Sequence, residues 1–79
     1  MKSLILYSTQ GCHLCEKAKE LIWPQLENTP YQLEEVDIAD DSALMAQYSL
    51  TIPVLINTYN NQQLPWPFDI NQIRDLITE

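Results

Sequence analysis

The feature that most constrains this chain is a change of hydrophobic period near its start. Ser3-Leu4-Ile5-Leu6-Tyr7 is a continuous apolar run of strand length, and Thr9-Gln10-Gly11 breaks it. From Leu14 the apolar positions are Leu14, Ala18, Leu21, Ile22 and Leu26, the stripe of an amphipathic helix. Pro24 falls within that stripe and is expected to end or kink the helix, because it cannot bond the carbonyl of Glu20. A second strand, Tyr31 to Ile38, follows the break at Asn28-Thr29-Pro30. Its apolar residues change phase midway, as in an edge strand covered on one side at a time. Strand, helix and strand in that order call for a parallel pair joined by a right-handed crossover.

The rest of the chain completes one sheet with helices. Asp40, Asp41 and Ser42 are cap residues for a short helix reaching about Tyr48. Pro53-Val54-Leu55-Ile56-Asn57 reads as a third strand. Asn60-Asn61 reads as a tight turn, and Gln62 to Trp66 as a fourth strand whose prolines suit an edge. Asp69-Ile70-Asn71-Gln72 has the form of a capping box with Gln at its fourth position. Ile70, Ile73, Leu76 and Ile77 make the stripe of a last helix. The expected fold class is therefore α/β with element order β-α-β-α-β-β-α, the third and fourth strands forming an antiparallel hairpin and the run Ser3–Tyr7 lying in the middle of the sheet.

With 79 residues the chain is expected to be one domain, 1–79, and to have a thin margin of stability. A single glycine argues against a disordered or loop-rich chain. The formal net charge of −7 makes nucleic acid and anionic membrane surfaces poor partners. The apolar start is too short for a signal peptide, and no segment approaches the length of a membrane span, so the expected location is the cytoplasm.

Both cysteines lie in Gly11-Cys12-His13-Leu14-Cys15, at the junction of strand and helix. A static disulfide is disfavoured by reducing conditions in the cytoplasm, and a bridge this short restrains little of the unfolded chain. A metal site needs four ligands, and beyond the two cysteines and His13 there is no second Cys/His cluster, so no metal is expected. Two buried structural thiols are a further reading. The redox reading uses the position itself. A helix N-terminus offers unsatisfied N–H groups and partial positive charge, and cysteines there have pKa values lowered from about 8.5 to somewhere near 3.5–7.5. Cys12 is then the nucleophile, and Cys15, one turn on, resolves the mixed disulfide. His13 either tunes the thiolate or is simply exposed; Lys17 either tunes it or is a solvated helix residue, the reading that also fits Lys19.

The segment Cys12-His13-Leu14-Cys15 between strand and helix, with Thr51-Ile52-Pro53 at the head of the third strand, resembles the thioredoxin superfamily and more closely the glutaredoxins. The match looks like a small divergent branch with His-Leu between the cysteines and Trp66-Pro67-Phe68 before the last helix, where glutaredoxins carry paired glycines that help to hold glutathione. The resemblance implies a thioredoxin-like three-layer sandwich with a four-stranded mixed sheet, and thiol–disulfide oxidoreductase activity. It implies that the Ile52–Pro53 bond is cis, that Pro53 lies against the cysteine pair, and that the backbone of Ile52 pairs with the bound thiol peptide like an added strand; Thr51, Ile52 and Pro53 are thus the expected substrate-binding residues. No tightly bound cofactor is expected. The substrates are protein disulfides or small disulfides, with electrons from glutathione or a reductase. Without the glycines, glutathione binding is expected to be weak. Phe68 reads as core; Trp66 reads as either core or an aromatic lip. The rival reading is a non-catalytic binding module of the same fold that recognises a protein or metal-bearing partner.

Overall fold

Lys2–Ser8 forms the first strand, β1, and alternation along it sets the layers of the molecule. Leu4, Leu6 and Ser8 are buried on one face, while Ser3, Ile5 and Tyr7 are half-buried on the other. In this computed structural model, which describes residues 2–78, the chain continues through α1 (His13–Leu26), β2 (Tyr31–Asp37), a 3-10 turn (Ile38–Asp40), α2 (Ser42–Tyr48), β3 (Val54–Asn57), β4 (Gln62–Pro65) and α3 (Ile70–Ile77). The four strands lie in the order β2-β1-β3-β4, with β1 parallel to β2 and antiparallel to β3, and β3 antiparallel to β4. The expected element order, the inner position of β1 and the hairpin are all present.

Two apolar clusters hold the layers together. On one face Leu4, Leu6 and Leu55 of the sheet meet Ala18, Ile22 and Leu26 of α1 and Ile73 and Leu76 of α3, with Phe68 in the same cluster. On the other face Ile38, Tyr48 and Val54 pack with half-buried Tyr7, Leu44, Ile52 and Ile56. The sheet is thus sandwiched between α1 and α3 on one side and α2 on the other. The phase change in the second strand has its cause here. Tyr31 and Leu33 face the first cluster, whereas Ile38 reaches the second from the turn beyond β2.

Pro24 does not end α1, which runs on to Leu26. The proline stands in the last turn, where both it and Glu20 are exposed, so the one missing hydrogen bond leaves a carbonyl on the solvent side. The helix closes instead at Asn28, whose φ of 62° is left-handed, and Thr29 accepts and donates around the turn: its hydroxyl donates to the Leu26 carbonyl (2.6 Å) and accepts from Tyr31 N–H (3.2 Å). Leu14 also departs from the stripe, being 41% exposed, and the buried series of α1 is Cys15, Ala18, Ile22 and Leu26.

Each predicted cap is made, with Asp41 rather than Asp40 or Ser42 serving α2: its carboxylate accepts from Ala43 N–H (3.0 Å) and Leu44 N–H (3.2 Å). At α3 the capping box is reciprocal, Gln72 N–H donating to Asp69 (2.8 Å) and Asp69 N–H to the Gln72 side chain (2.9 Å). The hairpin turn has Asn61 at φ 61°, a conformation asparagine tolerates.

Candidate functional site at the start of α1

Register fixes which residues share one end of the sheet. β1 ends at Ser8; Tyr7 pairs with Val54 at the head of β3, and Val54 pairs with Pro65 at the end of β4. The loop carrying Gly11 and Cys12, the segment Thr51-Ile52-Pro53, and Trp66-Pro67-Phe68 therefore lie side by side. Gly11 has φ 73°, and a Cβ added there would meet nothing within 4 Å, so backbone conformation rather than space calls for glycine. That left-handed residue turns the chain from strand to helix and makes Cys12 the N-cap of α1.

Cys12 and Cys15 are joined in a disulfide, with their Cα atoms 5.2 Å apart. Cys12 Sγ also accepts from Cys15 N–H at 3.2 Å, so the sulfur occupies the place of a capping oxygen. The two sulfurs differ in access. Cys15 is 1% exposed, whereas Cys12 is half-buried at the surface. His13 and Lys17 are exposed and form no hydrogen bond or ion pair among the described residues. Nor do three or more His, Cys, Asp or Glu side chains gather as a metal site among those residues.

The proline segment enters β3 at the end of the sheet where β1 leads to the cysteines. Pro53 is fully buried, and the Ile52–Pro53 peptide is cis, as is Trp66–Pro67. Thr51 and Ile52 are tied to the end of α2, since both N–H groups donate to the Tyr48 carbonyl, at 2.9 Å and 3.1 Å. The Ile52 N–H is thus engaged within the chain, while its carbonyl accepts no hydrogen bond from the described residues. On the far side, Trp66 N–H donates to the Pro53 carbonyl at 2.9 Å. Trp66 is half-buried and stands edge-to-face with buried Phe68, ring centroids 5.1 Å apart, so it is partly core and partly surface.

A polar ledge on the β2 side of the cysteine loop has no counterpart in the sequence reading. Ser8 Oγ donates to Glu35 Oε2 (2.8 Å), and Lys19 Nζ donates to Glu35 Oε1 (3.2 Å) and Glu16 Oε1 (3.0 Å). These residues line a hollow of about 370 Å³ that also reaches Gly11 and Asp37. The hydrogen bond Lys19 donates to Glu16, and after it the one to Glu35, holds its ammonium above its ordinary pKa. Glu35 and Asp37 share a strand phase with Tyr31 and Leu33, and that phase turning acidic near the cysteines is the one signal the sequence carried.

Comparison with known proteins agrees with this layout. A family model described as Glutaredoxin-like domain (DUF836) matches residues 3–78. The crystal structure of the structural-genomics target protein XcR50 from X. campestris is 38% identical, covering 91% of this chain and 91% of that chain with a TM-score of 0.75. A solution structure of XcR50 gives 37% identity, 95% and 90% coverage and a TM-score of 0.76. The solution structure of protein Ne2328 from Nitrosomonas europaea is similar in fold, with a TM-score of 0.83 at 24% identity and coverage of 98% and 92%. No curated protein matches the chain. The fold is thioredoxin-like.

Proposed function

The chain belongs to the glutaredoxin-like domain family, and from that premise we propose that it is a thiol–disulfide oxidoreductase. In the reduced form the Cys12 thiolate attacks one sulfur of a substrate disulfide. A mixed disulfide forms, and the first substrate thiolate leaves and takes a proton from solvent. Cys15, on losing its proton, attacks Cys12 Sγ; the Cys12–Cys15 disulfide forms and the second substrate thiol is released. Two electrons pass to the substrate, and a dithiol reductase or two molecules of reduced glutathione restore the pair.

The observation that carries this reading is the asymmetry of the pair. Cys12 caps a helix at the surface, where N–H groups and the helix dipole favour a thiolate, and Cys15 sits beneath it, 1% exposed and within bonding distance. Ile52, with its unoccupied carbonyl, and buried Pro53 support a role in seating the substrate backbone. Thr51 anchors that segment to Tyr48, through both its N–H and its hydroxyl (3.2 Å). His13 and Lys17, both exposed on the first turns of α1, supply positive charge near the thiolate when protonated.

Protein disulfides are the better substrates in this reading and glutathione is a poor ligand. Glutathione carries two carboxylates, the chain has a net charge of −7, and residues 65–68 are bulky. A reducing compartment such as the cytoplasm suits a pair that must be returned to the dithiol; no helix among the described residues is long and apolar enough to cross a membrane. The test is reduction of a polypeptide disulfide with dithiothreitol as donor, set beside a glutathione-coupled assay. Turnover of the polypeptide that disappears in Cys12→Ser is expected, with little activity in the coupled assay. Two thiols inert to alkylation at pH 6 would favour a binding module without turnover.

A further inference from the structure

We propose that Trp66 is a substrate-binding residue: its indole N–H donates to a backbone carbonyl of a polypeptide disulfide seated between Cys12 and β4. The proposal rests on the oxidoreductase reading and names what that site selects. Three observations carry it. The first is placement. Leu64 and Leu55 are cross-strand partners in the cluster under α1 and α3, and alternation puts Trp66 and Pro53 on that same face, where α1 begins. Across the end of the sheet the order is Cys12, Pro53, Trp66, with Cys12 following β1, and β1 and β4 are two strand spacings apart, about 10 Å. That is room for one extended chain lying over Pro53.

The second is the donor balance. An extended chain offers donors and acceptors alternately, so a partner that seats it must supply both. The Ile52 carbonyl is available as the acceptor, but the Ile52 N–H is held by Tyr48. The third supplies the missing donor. Trp66 is half-buried and fixed by its backbone bond to Pro53 and its ring contact with Phe68, yet its indole N–H bonds to no described residue. A fixed donor on Trp66, whose backbone bonds to the residue after Ile52, and an Ile52 carbonyl lacking a donor are together complementary to peptide backbone and not to a disulfide without amides.

The test compares a cystine-bridged peptide with bis(2-hydroxyethyl) disulfide. Trp66→Phe keeps the ring and loses the donor. Loss of one such hydrogen bond should lower kcat/KM for the peptide about fivefold, chiefly through KM, and leave the small disulfide unchanged. An equal loss on both substrates, or none on either, overturns the proposal. A second measurement leaves Trp66 in place. In Trp23→Phe, Trp66 is the only indole, since the chain has two tryptophans. With Cys15→Ser added, mixed disulfides on Cys12 can be trapped with the peptide or with 2-mercaptoethanol. The indole N–H resonance should move downfield in the peptide adduct alone, and an unmoved or equally moved resonance refutes the contact. Absence of turnover on either disulfide by the wild type would strike the oxidoreductase reading, while the trapped adducts still report on Trp66.

Discussion

Cys12 accepts from the backbone N–H of Cys15 and stands where the N–H groups of the first turn of α1 converge. Once the pair is reduced, that setting favours the thiolate over the thiol. In Cys15→Ser the alkylation rate of the remaining Cys12 should therefore titrate below the ordinary cysteine value of about 8.5. In Cys12→Ser the thiol of Cys15, 1% exposed, should alkylate far more slowly than Cys12 does at the same pH. Equal rates for the two variants would remove the division of labour. Gly11 is a second residue-scale test. Its φ of 73° costs a Cβ-bearing residue about 1–2 kcal/mol, and no steric clash adds to this. Gly11→Ala should lower the unfolding free energy by that amount in urea titration, and an unchanged midpoint would mean that the loop relaxes at no cost.

Among the elements, the start of α3 and the flank of α1 are where local chemistry decides stability. Asp69→Ala removes the side-chain arm of the capping box, leaving the backbone N–H of residue 69 to donate to Gln72, and should cost about 1 kcal/mol. On α1, Lys19 ties Glu16 of its own helix to Glu35 of β2. Because its pKa is raised in the folded chain, the Lys19 contribution is complete below the ordinary value of 10.5 and fades as pH rises through and above it. The stability difference between Lys19→Gln and wild type should accordingly be flat from pH 7 to 9 and shrink above 10.5; a difference that closes already at pH 8 would assign it to something other than this ammonium. Elements of this kind were legible in the sequence to very different degrees. Asp69 and Gln72 announced their box, because capping acts over four residues and needs no tertiary information. Pro24 does not mark the end of α1, since the cost of a proline depends on how close the helix end is and on which side the orphan carbonyl points. Leu14 misled for a related reason: it keeps the helical spacing but lies in the first turn of α1 and is 41% exposed. The tie from Ser8 to Glu35 joins residues 27 apart and could not be read from spacing at all.

For the whole molecule, the strand order and the two clusters follow from a few patterns that the sequence displays openly. The buried run of β1 required a neighbour on each side, and the hairpin and crossover left only a mixed sheet to provide them. The Thr51-Ile52-Pro53 and cysteine motifs were visible as motifs, but the engagement of the Ile52 N–H by Tyr48 depends on how α2 ends, which no motif encodes. The sheet also explains why a small chain tolerates so exposed a site. Cys12 needs only β1 and α1 to be in place, and those are joined to α3 through Ile22, Ile73 and Leu76. Ile22→Ala, in the middle of that contact, should cost about 2–5 kcal/mol, a large share of a domain's stability, and would be seen as a lowered Tm. The central claim, that Cys12 and Cys15 are a working redox pair, is tested most directly by equilibrating the protein in thiol–disulfide buffers of graded potential and reading the oxidised fraction. One reversible two-electron transition is expected, with a midpoint between about −120 and −270 mV, the span of proteins that exchange disulfides. A pair that stays oxidised below about −300 mV, as structural disulfides do, or that never closes at any potential, would contradict it.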